Sequence, residues 1–191
     1  MRIISGKLKG VSIPESKAEA THPMSEKLRG AIFNALGDIE GLRFLDGCAG
    51  TGMVGFEALS RGAGHVDAVE KDDRAFAELS RNSKKILGKD AEQYRAFHYG
   101  IRQFFKKNNL PVYDVMVFDP PYDMVAHSKI NIVQTDHFDG TVKHLAKDGI
   151  MIFSLPSGID PPRLPKLAPI KIKKHGIAQL IYYRHIPSRK A

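Results

Sequence analysis

The chain reads as an α/β fold: a mostly parallel sheet of about seven strands with helices on both faces, ending in an antiparallel hairpin. Three observations predict it. Short β-prone runs alternate with helix-periodic stretches through most of the 191 residues, and repeated right-handed crossovers turn that alternation into a parallel sheet. A glycine-rich turn, Gly47-Cys48-Ala49-Gly50-Thr51-Gly52, directly follows the first of the alternating β-prone runs. The last two β-prone runs flank only His175-Gly176, a separation that suits a hairpin.

In chain order, residues 1–14 pair short β-prone stretches with Gly6 and Gly10, which predicts a small basic hairpin. Ser25 stands where an N-cap belongs, and Leu28, Ala31, Ile32, Ala35 and Leu36 recur at helical spacing up to Gly37. A strand is predicted over 42–46, a helix over 54–60 and a second strand over 65–69 that ends at Glu70. The next helix, 73–87, lines one face with Phe76, Leu79, Ser83, Ile86 and Leu87 and stops at Gly88. A weak strand over 95–99, a helix over 101–108 and a strong strand over 113–118 continue the pattern. The strand 149–155 and a proline-rich loop from Pro156 to Pro169 lead to the hairpin of 170–174 and 177–184. Phe76, Phe104 and Phe105 read as core, and Arg81, Lys84, Lys85 and Lys89 as a solvated helix face.

Composition narrows the class. A hydrophobic fraction of 42% with 26% charged residues is that of an ordinary globular chain. No apolar run approaches the ~20 residues of a membrane span, and the first ten residues hold no signal-peptide core, so a cytoplasmic protein is expected. Cys48 is the single cysteine and the eight histidines fall at no metal-ligand spacing, so neither a disulfide nor a structural metal is expected. The net charge of +8 is placed unevenly: residues 163–191 hold eight basic residues and no acidic one. A one-signed stretch of that kind favours a polyanion such as RNA, because each Lys or Arg that neutralises a phosphate releases a counterion.

Two motifs at predicted strand ends carry chemistry, where open α/β sheets bind ligands. The first is Asp46-Gly47-Cys48-Ala49-Gly50-Thr51-Gly52 with Glu70 after the next strand. Its glycines allow a tight turn and close backbone approach, the following helix presents free N–H groups, and Glu70 is placed to accept ribose hydroxyls. Gly50, Gly52 and Gly55 also fit a dinucleotide fingerprint, so this loop alone leaves the cofactor open. The second is Asp119-Pro120-Pro121-Tyr122. The prolines stiffen the backbone, the Asp119 carboxylate and Pro120 carbonyl can accept both hydrogens of an exocyclic amine, and Tyr122 can stack on the base. Pulling those hydrogens out of the ring plane localises the amine lone pair toward an electrophilic methyl group. Cys48 reads as a packing residue, since amine methylation needs no covalent intermediate.

These motifs resemble the Rossmann-like class I amino-methyltransferases that use S-adenosylmethionine. The segments Met1 to Gly10, His22-Pro23-Met24-Ser25, Arg29 to Leu36 and Glu57 to Ala63 resemble the RsmD family more specifically, and the likeness runs through essentially the whole chain. The family usually has Arg-Pro-Thr at His22-Pro23-Met24 and Leu-Phe at Gly47-Cys48. The resemblance implies methylation of guanine N2 in 16S rRNA, of the guanine 966 type, during small ribosomal subunit assembly, without a metal and by a monomer. It implies that residues 1–24 are an N-terminal extension and 25–191 the methyltransferase domain. Asp46, Gly47, Ala49, Gly50, Thr51, Gly52, Glu70, Lys71, Gly100 and Ile101 would hold the cofactor, with Ser25 and Arg29 closing over its methionine end. At Gly100 the family's acidic or amide side chain is missing, so backbone contacts, Arg102 or Gln103 would serve the adenine. Asp119, Pro120, Pro121 and Tyr122 would be catalytic. Arg2, Lys7, Lys9, His22, Lys171, Lys173 and Lys174 would contact RNA, and the polar segment from Asp123 to Asp136 would form a substrate loop.

Three other readings compete. An adenine-N6 DNA methyltransferase would use the same amine geometry, though such enzymes generally carry a recognition domain for which 191 residues leave no room. An NAD-dependent oxidoreductase would explain the glycine loop but not Asp119 to Tyr122. A noncatalytic RNA-binding scaffold would explain the charge alone.

Overall fold

The computed structural model describes residues 1–14, 24–107, 109–121 and 138–187. Helix α1 (Glu26–Leu36) starts where Ser25 Oγ accepts the Leu28 N–H. It is followed by β1 (Arg43–Gly47), α2 (Met53–Ser60), β2 (His65–Glu70), α3 (Asp73–Leu87), β3 (Tyr94–His98), α4 (Ile101–Phe105) and β4 (Tyr113–Phe118). The chain then gives α5 (Asp139–His144), β5 (Leu145–Pro156), β6 (Leu167–His175) and β7 (Ala178–His185). Among the described residues the seven strands form one sheet in the order β3-β2-β1-β4-β5-β7-β6. The first five in that order run parallel, and β7 pairs antiparallel with both β5 and β6. This is the Rossmann-like architecture predicted, with its hairpin at one edge.

Several boundaries differ from the expectation. Helix α5 and a 3-10 turn at Gly88–Gln93 are additional elements, and α4 stops at Phe105 instead of reaching 108. Strand β5 begins at Leu145, four residues earlier than predicted, because a register shift opposite Tyr113 and Val115 lets Lys147 and Asp148 sit exposed within it. Strand β6 begins at Leu167 and carries Pro169 at another shift. The hairpin turn is Gly176-Ile177, with His175 paired to Ala178 and Gly176 at φ +62°.

The sheet separates two apolar cores. One lies under α1, α2, α3 and the N-terminal segment and contains Phe33, Phe44, Phe56, Leu59, Leu79, Ile152 and Leu180. The other contains Phe104, Met116, Phe118, Phe153, Leu155 and Tyr183. Its polar member is Asp67, buried and satisfied by Arg95 through two bonds of 2.8 and 2.9 Å and by the Tyr113 hydroxyl.

Every residue of α2 is buried, because the N-terminal hairpin covers the helix. Arg2 and Ser12 form an antiparallel bridge, and Ile3 and Ile13 bury their side chains in the core. The hairpin is fastened from below: Glu57 accepts the N–H groups of Ile4 and Ser5 at 2.7 and 3.1 Å, and Lys7 N–H reaches the Ser60 carbonyl at 2.8 Å. Glycine is required at position 6, where φ is +83° and a Cβ would fall 1.7 Å from the Ser60 carbonyl oxygen.

Candidate active site

Parallel register brings the two sequence motifs side by side. Gly47 at the end of β1 pairs with Val69 of β2 on one side and with Phe118 of β4 on the other. Glu70 and Asp119 therefore emerge on either side of the loop that follows Gly47. The approach is close: a Cβ on Gly47 would lie 2.3 Å from Phe118 Cε1 and 3.0 Å from Ile101 Cδ1.

The loop is built by backbone hydrogen bonds. The Cys48 and Ala49 N–H groups both donate to the Val69 carbonyl at 2.9 Å, and Gly52 N–H donates to the Ala49 carbonyl at 2.8 Å. Cys48, Gly50 and Gly52 all have positive φ, at 74°, 55° and 88°. Gly52 needs both that conformation and its missing side chain, since a Cβ there would meet Leu79, Phe56 and the Tyr94 hydroxyl within 2.8 Å. Gly50 is the opposite case: nothing lies within 4 Å of where its Cβ would be. The backbone at Gly50 is thus open to a ligand, as a cofactor loop requires.

Two carboxylates hold the loop. Glu70 Oε2 accepts Gly50 N–H at 2.7 Å, while Oε1 accepts the Lys71 and Asp72 N–H groups at 2.7 and 2.8 Å. Asp46 is buried, and its Oδ2 accepts Gly55 N–H at 2.8 Å. Asn82 of α3, on no predicted face, donates to the Thr51 carbonyl at 3.2 Å. Thr51 is buried, Ala49 half-buried and Lys71 exposed. At the end of β3, Gly100 caps α4 and donates its N–H to Gln103 Oε1 at 3.2 Å, which occupies the Gln103 side chain.

The site is acidic. Burial pushes the Asp46 carboxyl up to about 7, with Asp119 and Glu70 adding to the shift and Gly55 N–H opposing it. Asp119, half-buried at the cleft, is pushed up to about 6 by desolvation, against the pull of the Ser154 hydroxyl. Cys48 lies among the three carboxylates. Burial and the charges of Glu70, Asp119 and Asp46 raise its thiol well above the ordinary range, so it stays protonated and is no nucleophile. A cleft with these acceptors suits a ligand that carries positive charge.

Pro120 is buried and Pro121 half-buried beside Asp119; Tyr122, the Asp123 to Asp136 segment and His22 lie outside the described residues. Ser25 is exposed with its hydroxyl used as the α1 cap. Arg29 is fully buried and its guanidinium is spent internally: it donates to the Arg2 and Met24 carbonyls at 2.6 and 3.4 Å and pairs with Glu57 at 3.5 Å. Arg2, Lys7 and Lys9 are exposed on the N-terminal hairpin, and Lys171, Lys173 and Lys174 on edge strand β6. Tyr94, Asn82 and Ser154 stand in no sequence motif, nor does any motif show the pairing of Glu57 with Arg29 and the hairpin. Of these, Ser154 had a visible signal, a lone hydroxyl within the apolar run Ile150 to Leu155.

Together the fold and this site define a Rossmann-like methyltransferase. The model of the family described as Conserved hypothetical protein 95 matches residues 1–184. The chain belongs to that family, the RsmD family of S-adenosylmethionine-dependent methyltransferases. It is 35% identical over 124 residues to the ribosomal RNA small subunit methyltransferase D of Haemophilus influenzae, covering 64% of each chain. The protein of the same name from Buchnera aphidicola is 31% identical over 134 residues, 69% of each. YlbH of Bacillus subtilis is 41% identical over 97 residues, 50% of this chain and 53% of that one. The matches thus span between about half and two thirds of these relatives' length. Among solved structures, a hypothetical protein of Thermus thermophilus superposes with a TM-score of 0.75 at 25% identity, covering 97% of this chain and 99% of that one.

Proposed function

We propose that the chain transfers a methyl group from S-adenosylmethionine to the exocyclic N2 amine of a guanine in 16S rRNA, of the guanine 966 type. The observation that carries this reading is the β1–β4 register, which sets the Asp119-Pro120-Pro121 backbone beside the open turn at Gly50. The residues present fit the cofactor: Gly50 offers free backbone space, and Glu70, with Asp46 buried beneath the loop and Asp119 beside it, gives the surroundings an acidic character suited to a cationic ligand. Gly100 and Ile101 would border its adenine, and the backbone of Gly47 to Gly52 and Lys71 its remaining body. When bound, S-adenosylmethionine supplies the electrophilic methyl group.

The chain's own groups do the rest. The Asp119 carboxylate and the Pro120 carbonyl accept the two amine hydrogens and hold the lone pair toward the cofactor side of the cleft. Asp119 would then stabilise the positive charge on the nitrogen as the methyl carbon exchanges its bond to the cofactor sulfur for one to nitrogen, the surplus amine proton leaving afterwards to solvent. Tyr122 stacks on the base. Arg2, Lys7 and Lys9 on the hairpin, with Lys171, Lys173 and Lys174 on β6, grip phosphates of the RNA or of a small-subunit assembly intermediate. The enzyme acts as a monomer in the cytoplasm; among the described residues no helix is long and apolar enough to cross a membrane.

The experiment is methylation of small subunits and of free 16S rRNA from a strain lacking the corresponding activity, followed by nucleoside mass spectrometry and mapping. N2-methylguanosine at one position is expected. Methylation confined to adenine N6 of DNA, or none at all, would overturn the reading.

A further inference from the structure

We propose that Ser154 is a positioning residue for Asp119, its buried hydroxyl turning the carboxylate so that one oxygen is held inside the sheet and the other faces the cleft. Phe118 of β4 pairs with Phe153 of β5, so the next residues on the two strands, Asp119 and Ser154, stand side by side. On its other flank Ser154 pairs with Leu180 of β7, which offers no polar side chain. Alternation along β5 puts Phe153 and Leu155 in one core and Ile152 in the other, and Ser154 shares the face of Ile152. That face is dry: Ser154 is fully buried, no well-formed hydrogen bond ties its hydroxyl to another group, and the carboxylate that feels it is that of Asp119.

A polar atom sealed among apolar side chains is unfavourable unless it serves a neighbour. Alanine would fill the same place on β5 without that penalty. The neighbouring acceptor is the Asp119 carboxylate, and the Ser154 hydroxyl favours its charged form. The other titratable groups facing Asp119, Asp46 and Cys48 on the β1 side, supply no positive charge. Ser154 is therefore the donor within the sheet that keeps the carboxylate ionised and aimed. Its value to catalysis rests on the amine-methylation reading; the orientation of Asp119 does not.

The test is a carboxyl ¹³C NMR titration of Asp119, its signal assigned by its loss in Asp119→Asn, in the wild type, Ser154→Ala and Ser154→Thr. In Ser154→Ala the midpoint is expected to move to higher pH by about half a pH unit or more, and Ser154→Thr, which keeps the hydroxyl, should restore it. The acid limb of kcat should move by the same amount, with KM for S-adenosylmethionine within about twofold. An unmoved midpoint in Ser154→Ala overturns the proposal; should the threonine variant not fold, the alanine titration decides alone. A shifted midpoint in a chain that methylates no guanine amine would leave the positioning intact and remove the proposed function, so the two fail separately.

Discussion

Glu70 holds Gly50 by a 2.7 Å hydrogen bond, and the same carboxylate fastens the first turn after β2 through Lys71 and Asp72. Three backbone donors occupy most of its acceptor capacity, so Glu70 shapes the loop at which the cofactor is proposed to bind. Glu70→Ala should weaken S-adenosylmethionine binding by roughly ten- to a hundredfold, since bonds to a charged acceptor contribute about 1.5–3 kcal/mol each. Glu70→Gln should be milder, because the amide oxygen still accepts the N–H groups on one side, although its NH₂ cannot accept those on the other. Isothermal titration checks this, and RNA binding should be unchanged; a variant that binds the cofactor like the wild type would remove Glu70 from the site.

The Asp46 carboxyl is raised to about 7 and that of Asp119, on the amine side of the proposed cleft, to about 6. Both lie above the ~3.9 of an unfolded aspartate, so between about pH 4 and 7 the folded protein holds more protons than the unfolded chain. Their contribution to stability is therefore present at acid pH and is lost as pH rises through 6 and 7. A cationic cofactor beside the loop favours the ionised form of Asp46, so its binding near pH 6.5 should release a proton and its affinity should rise from pH 6 to 8. Calorimetry in buffers of different ionisation enthalpy measures the release. Asp46→Asn should abolish most of it; release equal to the wild type's would mean another group titrates.

The carboxyl ends of the parallel strands and the turns that follow them are legible in the sequence because their signals are local. Glycines at positive φ, a proline pair after an apolar run and an N-cap serine each constrain the backbone where they stand. Arg29 is not legible. Periodicity counts apolar side chains, so the α1 stripe is drawn through Ala35 and Leu36, whereas the buried face turns toward Arg29 and Phe33. What buries Arg29 is Glu57, on a helix whose contact with α1 no local pattern reveals. Helix α5 is missed for a related reason: Asp139–His144 has no apolar stripe of its own. Ser154 needs the strand pairing before its neighbour can be named.

The Glu57–Arg29 pair yields a stability prediction. Glu57 is fully buried and serves Arg29, Arg61 and two N–H groups of the hairpin. Glu57→Ala leaves a buried guanidinium unpaired, which costs about 3–5 kcal/mol, and also releases the hairpin from α2. Urea unfolding should show that loss, and limited proteolysis should cut within residues 1–14 before the body is attacked. A loss within 1 kcal/mol of zero, about the scale of an exposed pair, would contradict the arrangement.

Phosphate binding by edge strand β6 is tested through salt. Lys171, Lys173 and Lys174 are exposed on it. Changing all three to Glu should weaken binding to every RNA alike and flatten the dependence of log affinity on log salt by about 0.7–0.9 for each phosphate no longer neutralised. An unchanged slope would place the phosphate grip elsewhere on the surface.

Asp119 separates an acceptor from a proton-abstracting base. In the proposed reaction the new N–C bond forms before or as the amine proton leaves, so the carboxylate would hold an N–H and balance the growing positive charge. Asp119→Asn keeps one acceptor oxygen and loses the charge; it should retain measurable turnover. Asp119→Ala removes the acceptor entirely and should lower kcat by roughly 10²–10³, the scale for deleting a preorganised transition-state hydrogen bond. Cofactor affinity should change little in either, since the loop bonds from Glu70 and Asp46 to Gly50 and Gly55 remain. Single-turnover kinetics with cofactor binding measured in parallel divides the two effects. If Asp119→Ala methylates rRNA at the wild-type rate, Asp119 is not the amine acceptor, and the catalytic group must be sought at another strand end of the same cleft.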